Sequence, residues 1–253
     1  MVLKGTEFYN SEKGLHQYIE SKNVADEANS TLEKPYIMNL AGDVLQKRIL
    51  DLGCGDGELG NRFLENNSDG YYCGIDASKK MVEMAREKLP ANATLKQCNI
   101  EDCWENEPWS SKAFDIVISS MALHYIHDLN KVMGKIHRVL KDEGTFIFSV
   151  EHPVITSNYE SSEGNEDHGS WLVDNYFTEG ERQTYWLGTN ILKYHRSLET
   201  YFSLLINNGF LIDDVKEGKP VRERFMYEHN YEQRLKKPMY LIIKCKKKGG
   251  RAA

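Results

Sequence analysis

The chain has 253 residues, which at roughly 150 per domain reads as one large domain, or one domain carrying an inserted cap. Its 32 basic against 38 acidic residues give a net charge of −6, the wrong sign for a protein that lives on nucleic-acid phosphates, and 40% hydrophobic with 28% charged residues excludes a disordered or membrane class. The opening MVLKGTEFYNSEKG lacks the apolar stretch of a secretory signal and no run elsewhere is long and apolar enough to cross a bilayer, so a cytoplasmic location is expected.

Residues 1–45, with the aromatics Phe8, Tyr9 and Tyr18, are expected to form a helical lid. From Arg48 onward short apolar runs alternate with amphipathic stretches, the pattern of β-α units building a parallel sheet. RILDLG (48–53) reads as a buried strand, ELGNRFLENN (58–67) as a helix and YYCGID (71–76) as a second strand. SKKMVEMAREKL (78–89) is a helix with Ser78 as its N-cap and Met81, Met84, Ala85 and Leu89 on one face. ATLKQCN (93–99), FDIVISS (114–120) and GTFIFSVE (144–151) follow as strands, with a helix at LNKVMGKIHRVL (129–140) before the last. Residues 152–196 lose this regularity and are rich in Ser, Asn, Glu and aromatics, too long for a plain loop, so a cap is expected there. SLETYFSLLINNGF (197–210) is a helix closed by Gly209; LIDDVKEG (211–218) and PMYLIIKCK (238–246) are strands with no long helix between them, hence antiparallel neighbours. The tail 248–253 reads as a frayed terminus. Cys54, Cys73, Cys98, Cys103 and Cys245 include no CxxC pair, so they are expected to be free thiols, with neither a disulfide framework nor a metal.

The chemistry concentrates in DLGCGDGELG, where Asp51, Gly53, Gly55 and Gly57 sit at a strand-to-helix handover. Missing side chains there let backbone N–H groups approach a ligand closely. The spacing is GxGxG, and Glu58 occupies the position of the third glycine of a dinucleotide fingerprint. Taken alone the motif also fits a tight turn with no ligand. Asp76, 23 residues beyond Gly53 at the end of the second strand, is where a carboxylate accepts both hydroxyls of a ribose, although it would equally cap the following helix.

These residues together resemble the class I S-adenosylmethionine-dependent methyltransferases. The resemblance runs through RILDLGCGDG, GIDASKKMVEMA, CNIED, FDIVISSMALHYIHDL and IHRVLKDEGTFIFSVEHP, and further on YHRSLETYFSLLINNGF and KPMYLIIK are similar to a bacterial small-molecule-type branch carrying an SVEHP signature. It implies a Rossmann-like α/β fold with a seven-stranded, mostly parallel sheet in the order 3-2-1-4-5-7-6, the last strand antiparallel. It further implies that Asp51, Gly53, Gly55, Asp56 and Gly57 surround the methionine part of S-adenosylmethionine, and that Asp76 holds the ribose. Ala77 and Met81 would pack near the adenine, Asn99 and Ile100 would meet its edge, and Ser119 and Met121 would flank the sulfonium. Asn99 stands where an aspartate is common in the family.

A sulfonium methyl is already activated, so catalysis needs positioning and exclusion of water more than acid, base or metal. For an acceptor that must lose a proton, the candidates are His124, Tyr125, Glu151, His152, Tyr194, His195 and Arg196, all near strand ends or the cap. Trp171, Tyr176, Phe177, Tyr185 and Trp186 would line an acceptor site or form the core of the cap. The expected organisation is a lid (1–45), a cofactor-binding core (46–151), a cap (152–196), the rest of the core sheet (197–247) and a tail (248–253). The expected activity is methyl transfer to a small-molecule acceptor, without nucleic-acid or membrane partners. The alternatives are a non-catalytic S-adenosylmethionine-binding regulator and a nicotinamide-dependent oxidoreductase. Oligomeric state and the identity of the acceptor are not written in the sequence.

Overall fold

The computed structural model describes residues 2–65, 67, 69–104, 111–158 and 171–249. Its centre is a seven-stranded sheet built from β2 (Arg48–Leu52), β3 (Tyr71–Asp76), β4 (Thr94–Gln97), β5 (Phe114–Ser119), β6 (Leu140–Glu151), β9 (Phe210–Lys216) and β10 (Tyr240–Lys247), in the order β4-β3-β2-β5-β6-β10-β9. β10 is antiparallel to both β6 and β9, and the pairs from β4 to β6 are parallel. This is the expected topology. β2 and β5 are apolar on both faces because helices cover both, and Leu50, Leu52 and Val117 pack on one side while Ile49, Ile116 and Ile118 pack on the other.

Helices α4 (Glu58–Glu65), α5 (Lys79–Lys88), α6 (Leu129–Val139) and α8 (Leu198–Asn207) form these layers. α6 turns Leu129, Val132, Met133, Ile136 and Val139 into the core, each buried side chain contributing about 1.5–3 kcal/mol of transfer free energy. Ser78 caps α5 by accepting the Met81 N–H at 3.3 Å.

The N-terminal segment divides into two parts. β1 (Val2–Leu3), α1 (Gly5–Asn10) and α2 (Glu12–Lys22) lie over the ends of the strands, whereas α3 (Lys34–Ala41) buries Ile37 and Leu40 against the sheet and belongs to the core. A π-helical turn, Asn29–Glu33, leads directly into α3. After the short α7 (Pro153–Thr156), the cap holds a hairpin of β7 (Gly180–Trp186) and β8 (Thr189–His195), which β1 joins in parallel through Val2–Asn190 and Leu3–Ile191. The 219–237 connection carries α9 (Glu228–Arg234). The segment expected to be a cap carries a three-stranded sheet. One expectation changes: Cys98 and Cys103 are joined by a disulfide where five free thiols were expected, with their Cα atoms 5.7 Å apart. Cys54, Cys73 and Cys245 are buried and lie outside this disulfide. Residues 159–170 of the expected cap and 250–253 of the expected tail lie outside the described residues. Among the described residues no helix is long and apolar enough to cross a membrane, and no cluster of side chains is arranged to hold a metal ion.

Candidate active site

The C-terminal ends of β2, β3, β4 and β5 open into a cavity of about 430 Å³, roofed by α1 and α2. That lies within the range of small-ligand sites, and strand ends are where open α/β sheets bind ligands. Gly53 and Cys54 donate their N–H groups to the Ile75 carbonyl at 2.8 and 2.9 Å, which ties the glycine turn to β3. Asp51, 1% exposed at the end of β2, accepts the Tyr72 hydroxyl on Oδ2 at 2.8 Å, while its Oδ1 has no hydrogen-bond partner among the described residues. Burial pushes its carboxyl up to about 7, Tyr72 counteracts, and the charges of Asp76 and Glu33 add to the rise.

Asp76 accepts Gly55 N–H at 3.0 Å and Ser78 N–H at 2.8 Å, and burial still raises it to about 6. Asp76 lines the cavity, and Ser78, whose N–H it accepts, is the residue that caps α5. Ala77, Met81, Asn99 and Ile100 line the same end, with the Asn99 Oδ1 turned back to accept Glu101 N–H at 3.0 Å. Gly53, Gly55, Asp56 and Met121 also line the cavity. Gly57 and Ser119 do not: Gly57 abuts Ala85 and Leu89 of the next helix, and Ser119 donates to the Leu52 carbonyl at 2.8 Å, so both support the wall from behind.

The acids Asp56 and Glu58 of the glycine turn are neutralised by lysines from α2, α3 and α5. Lys22 of α2 bridges Asp56 at 2.8 Å and Glu58 at 2.6 Å, Lys34 bridges Glu58 at 2.7 Å, and Lys88 bonds Asp56 from α5. Burial would raise the Glu58 carboxyl, yet Lys22 and Lys34 hold it near 2. Sequence reasoning missed Lys22 and Lys34; the signal was the pair of acids inside a ligand-binding turn, which required cations from elsewhere.

The opposite end of the cavity is lined by Tyr9, Tyr125, His127, Leu192 and Tyr194. His124 stands behind it, packed on Tyr125 with ring centroids 4.3 Å apart, and burial lowers it to about 3, so it is neutral at pH 7. Lys193, 1% exposed, pairs with Glu151 at 2.6 Å beneath the Tyr125 and Trp186 rings. Burial favours the neutral acid, but the Lys193 ammonium holds the Glu151 carboxyl below its usual range.

Two sequence candidates are corrected. His152 caps α7, accepting Val154 N–H on Nδ1 at 3.1 Å and meeting Glu217 with Nε2 at 3.1 Å. His195 is fully buried between the Thr156 hydroxyl at 2.7 Å and the Tyr176 carbonyl at 2.8 Å. Neither lines the cavity and both have their ring nitrogens engaged: His152 ties the start of the cap to Glu217 beyond β9, and His195 ties β8 to other parts of the cap. His195→Ala is expected to cost about 2–4 kcal/mol of stability, from two lost hydrogen bonds and a vacated volume. Ligand affinity of the folded variant should stay within about threefold of the parent, read by denaturant melts and calorimetry side by side.

The sequence profile of a family described as "Methyltransferase domain" matches residues 45–186, more than half of the chain. The chain belongs to this family. The methyltransferase superposes on the crystal structure of an S-adenosylmethionine dependent methyltransferase from Mesorhizobium loti with a TM-score of 0.76 at 30% identity, covering 87% of this chain and 99% of that one. A Listeria monocytogenes structure provisionally assigned the same activity gives 0.72 at 34% identity, over 85% and 97%. Demethylmenaquinone methyltransferase of Leptospira interrogans is 31% identical over 51% of this chain, and the match spans 49% of that relative's length. The methyltransferase is thus a class I enzyme with S-adenosylmethionine as its cofactor, and the Rossmann-like fold expected from the sequence is the one observed. The residues of the cavity fit this cofactor: a glycine turn, a buried Asp51 carboxylate oxygen without a hydrogen-bond partner among the described residues, and the Asp76 carboxylate.

Proposed function

We propose that the methyltransferase transfers its methyl group to a small organic acceptor enclosed between the lid, the turn after β5 and the cap sheet. The observation that carries this reading is a single cavity of about 430 Å³ whose lining passes from the glycine turn to Tyr9, Tyr125 and Tyr194 beneath α1 and α2. The acidic net charge of −6 opposes a nucleic acid. The relative named for demethylmenaquinone is in keeping with an organic acceptor that is neither protein nor nucleic acid.

In this reading the methionine part lies along Asp51, Gly53, Gly55 and Asp56, Asp76 accepts the two ribose hydroxyls, and Ala77, Met81, Asn99 and Ile100 receive the adenine. When bound, the cofactor supplies a sulfonium-activated methyl with a neutral leaving group. The protein's own residues supply alignment and exclude water. Burial raises Tyr9 and Tyr125 well above the ordinary tyrosine range; their hydroxyls are bonded to each other, and at neutral pH the pair has one O–H left to orient the acceptor. His124, neutral and buried, shapes the wall behind Tyr125. Glu151 remains ionised beside Lys193, and its Oε2 has no partner among the described residues. It is not among the residues lining the cavity, and its charge balances Lys193 behind the Tyr125 wall, so the transfer in this reading needs no side-chain base.

The reading is tested in two steps. S-adenosylhomocysteine at about 100 times its dissociation constant should add roughly 2.7 kcal/mol to the unfolding free energy, and NAD should add nothing. Label from methyl-tritiated S-adenosylmethionine incubated with a bacterial extract should then appear in the low-mass fraction. Label confined to protein or nucleic acid would overturn the small acceptor.

A further inference from the structure

Glu33 ends the π-helical turn and is wholly buried, yet it belongs to no motif and forms no ion pair among the described residues. Its neighbour Lys34 points to Glu58 instead. A buried carboxylate is costly to keep where an apolar side chain would fill the same space, and π-turns recur at functional sites. The Glu33 Oε1 accepts two hydroxyls from distant strands, Ser120 at 2.7 Å and Ser149 at 2.6 Å. Ser149 is the serine of the SVEHP segment, and its carbonyl and hydroxyl oxygens both accept the Met121 N–H, at 3.1 and 3.0 Å. Ser120 and Met121 line the cavity, and Met121 is held at φ +53. That left-handed backbone costs a residue with a side chain about 1–2 kcal/mol and persists only where the surroundings enforce it.

We propose that Glu33 is a positioning residue for the transfer: through Ser120 and Ser149 it holds the Met121 turn in its left-handed form against the sulfonium end of the cofactor. The path is contiguous, from the turn before α3 to the ends of β6 and β5. It also gives the serine of the SVEHP segment a task, since that hydroxyl relays one bond into the next. The carboxylate acts here as a double hydrogen-bond acceptor, so an amide oxygen in the same place should serve, whereas a methyl group should not.

The test uses the full chain and calorimetric affinity for S-adenosylmethionine and S-adenosylhomocysteine, measured well below each variant's melting temperature. Glu33→Ala is expected to weaken S-adenosylmethionine binding about tenfold, and Glu33→Gln to restore it to within about threefold of the parent. Ser149→Ala, which keeps the carboxylate, should match Glu33→Ala, and the double variant should be no weaker than either single one, as for members of one chain of bonds. A merely structural carboxylate would lower the melting temperature and leave the affinity of the folded protein unchanged. Parental affinity in Glu33→Ala, equal weakness of Glu33→Gln and Glu33→Ala, or additive losses in the double variant would each overturn the proposal. If Glu33→Ala does not fold, the comparison of Glu33→Gln, Ser120→Ala and Ser149→Ala with the parent decides: parental affinity in both serine variants overturns it.

Discussion

Asp76→Asn is expected to weaken S-adenosylhomocysteine binding by roughly ten- to a hundredfold, since hydrogen bonds to a charged group contribute about 1.5–3 kcal/mol. Asp76 uses one oxygen on Gly55 N–H and the other on Ser78 N–H. An asparagine keeps one of these acceptors and turns an NH2 against the second donor, so the glycine turn is disturbed as well as the ribose contact. The pH dependence has a definite sign. Burial lifts Asp76 to about 6 and Asp51 to about 7, and ligand hydroxyls or an ammonium bind the charged forms better. Binding therefore releases protons. Affinity should be full above about pH 7 and fall as pH drops through these values, by up to tenfold per pH unit for each proton released. For the unliganded protein the direction is opposite. Both acids are raised above their unfolded values near 3.9, so the stabilisation from their bound protons is complete below that pH and is lost as pH rises through 6 and 7. Titration calorimetry between about pH 5 and pH 8, in buffers of different ionisation heat, reads the proton count directly. A flat affinity profile, or an Asp76→Asn variant with parental affinity, would remove Asp76 from the ribose position.

What the sequence made legible was whatever is encoded locally. The central strands are short apolar runs between amphipathic helices, so their existence and parallel pairing follow from period and burial, and the missing long helix before β10 gave its antiparallel sense. Glycines and an acid at fixed strand ends announce a ligand turn for the same reason. The cap hairpin was not legible because its loop is Leu187–Gly188, with φ +46 and +72, a turn that usually advertises itself as Asn-Gly. Its third strand is two residues from the start of the chain, and no local pattern says that Val2 will meet Asn190. The lid cations were hidden likewise, since Lys22 finds Asp56 across 34 positions. Histidine identity misled in another way. A residue name says nothing about whether its ring nitrogens are free, and at His152 and His195 backbone and side-chain partners had already taken them.

Two glycines of the same turn should separate fold from ligand. Gly53 has φ +79, and a Cβ added there would meet the Ala122 Cβ at 2.4 Å, a contact that only a backbone shift relieves. Overpacking costs about 1–3 kcal/mol and the left-handed conformation about 1–2 more, so Gly53→Ala is expected to lower stability by roughly 2–5 kcal/mol. It should also displace the turn after β5, where Ala122 and Met121 line the cavity. Gly55 has φ +55 and also lines the cavity, but nothing lies within 4 Å of its added Cβ. Gly55→Ala should therefore cost the unliganded protein only the conformational part, about 1–2 kcal/mol, while placing a methyl where the methionine part of the cofactor is proposed to lie. Its S-adenosylhomocysteine affinity is expected to fall more than about tenfold with a modest change in unfolding midpoint, and Gly53→Ala should lose both together. The pair of readings matters more than either alone. A Gly55→Ala variant that binds as well as the parent would mean the open space above that glycine is not where the cofactor sits, and the methionine end would have to be sought along the Lys22 and Lys34 side of the cavity instead.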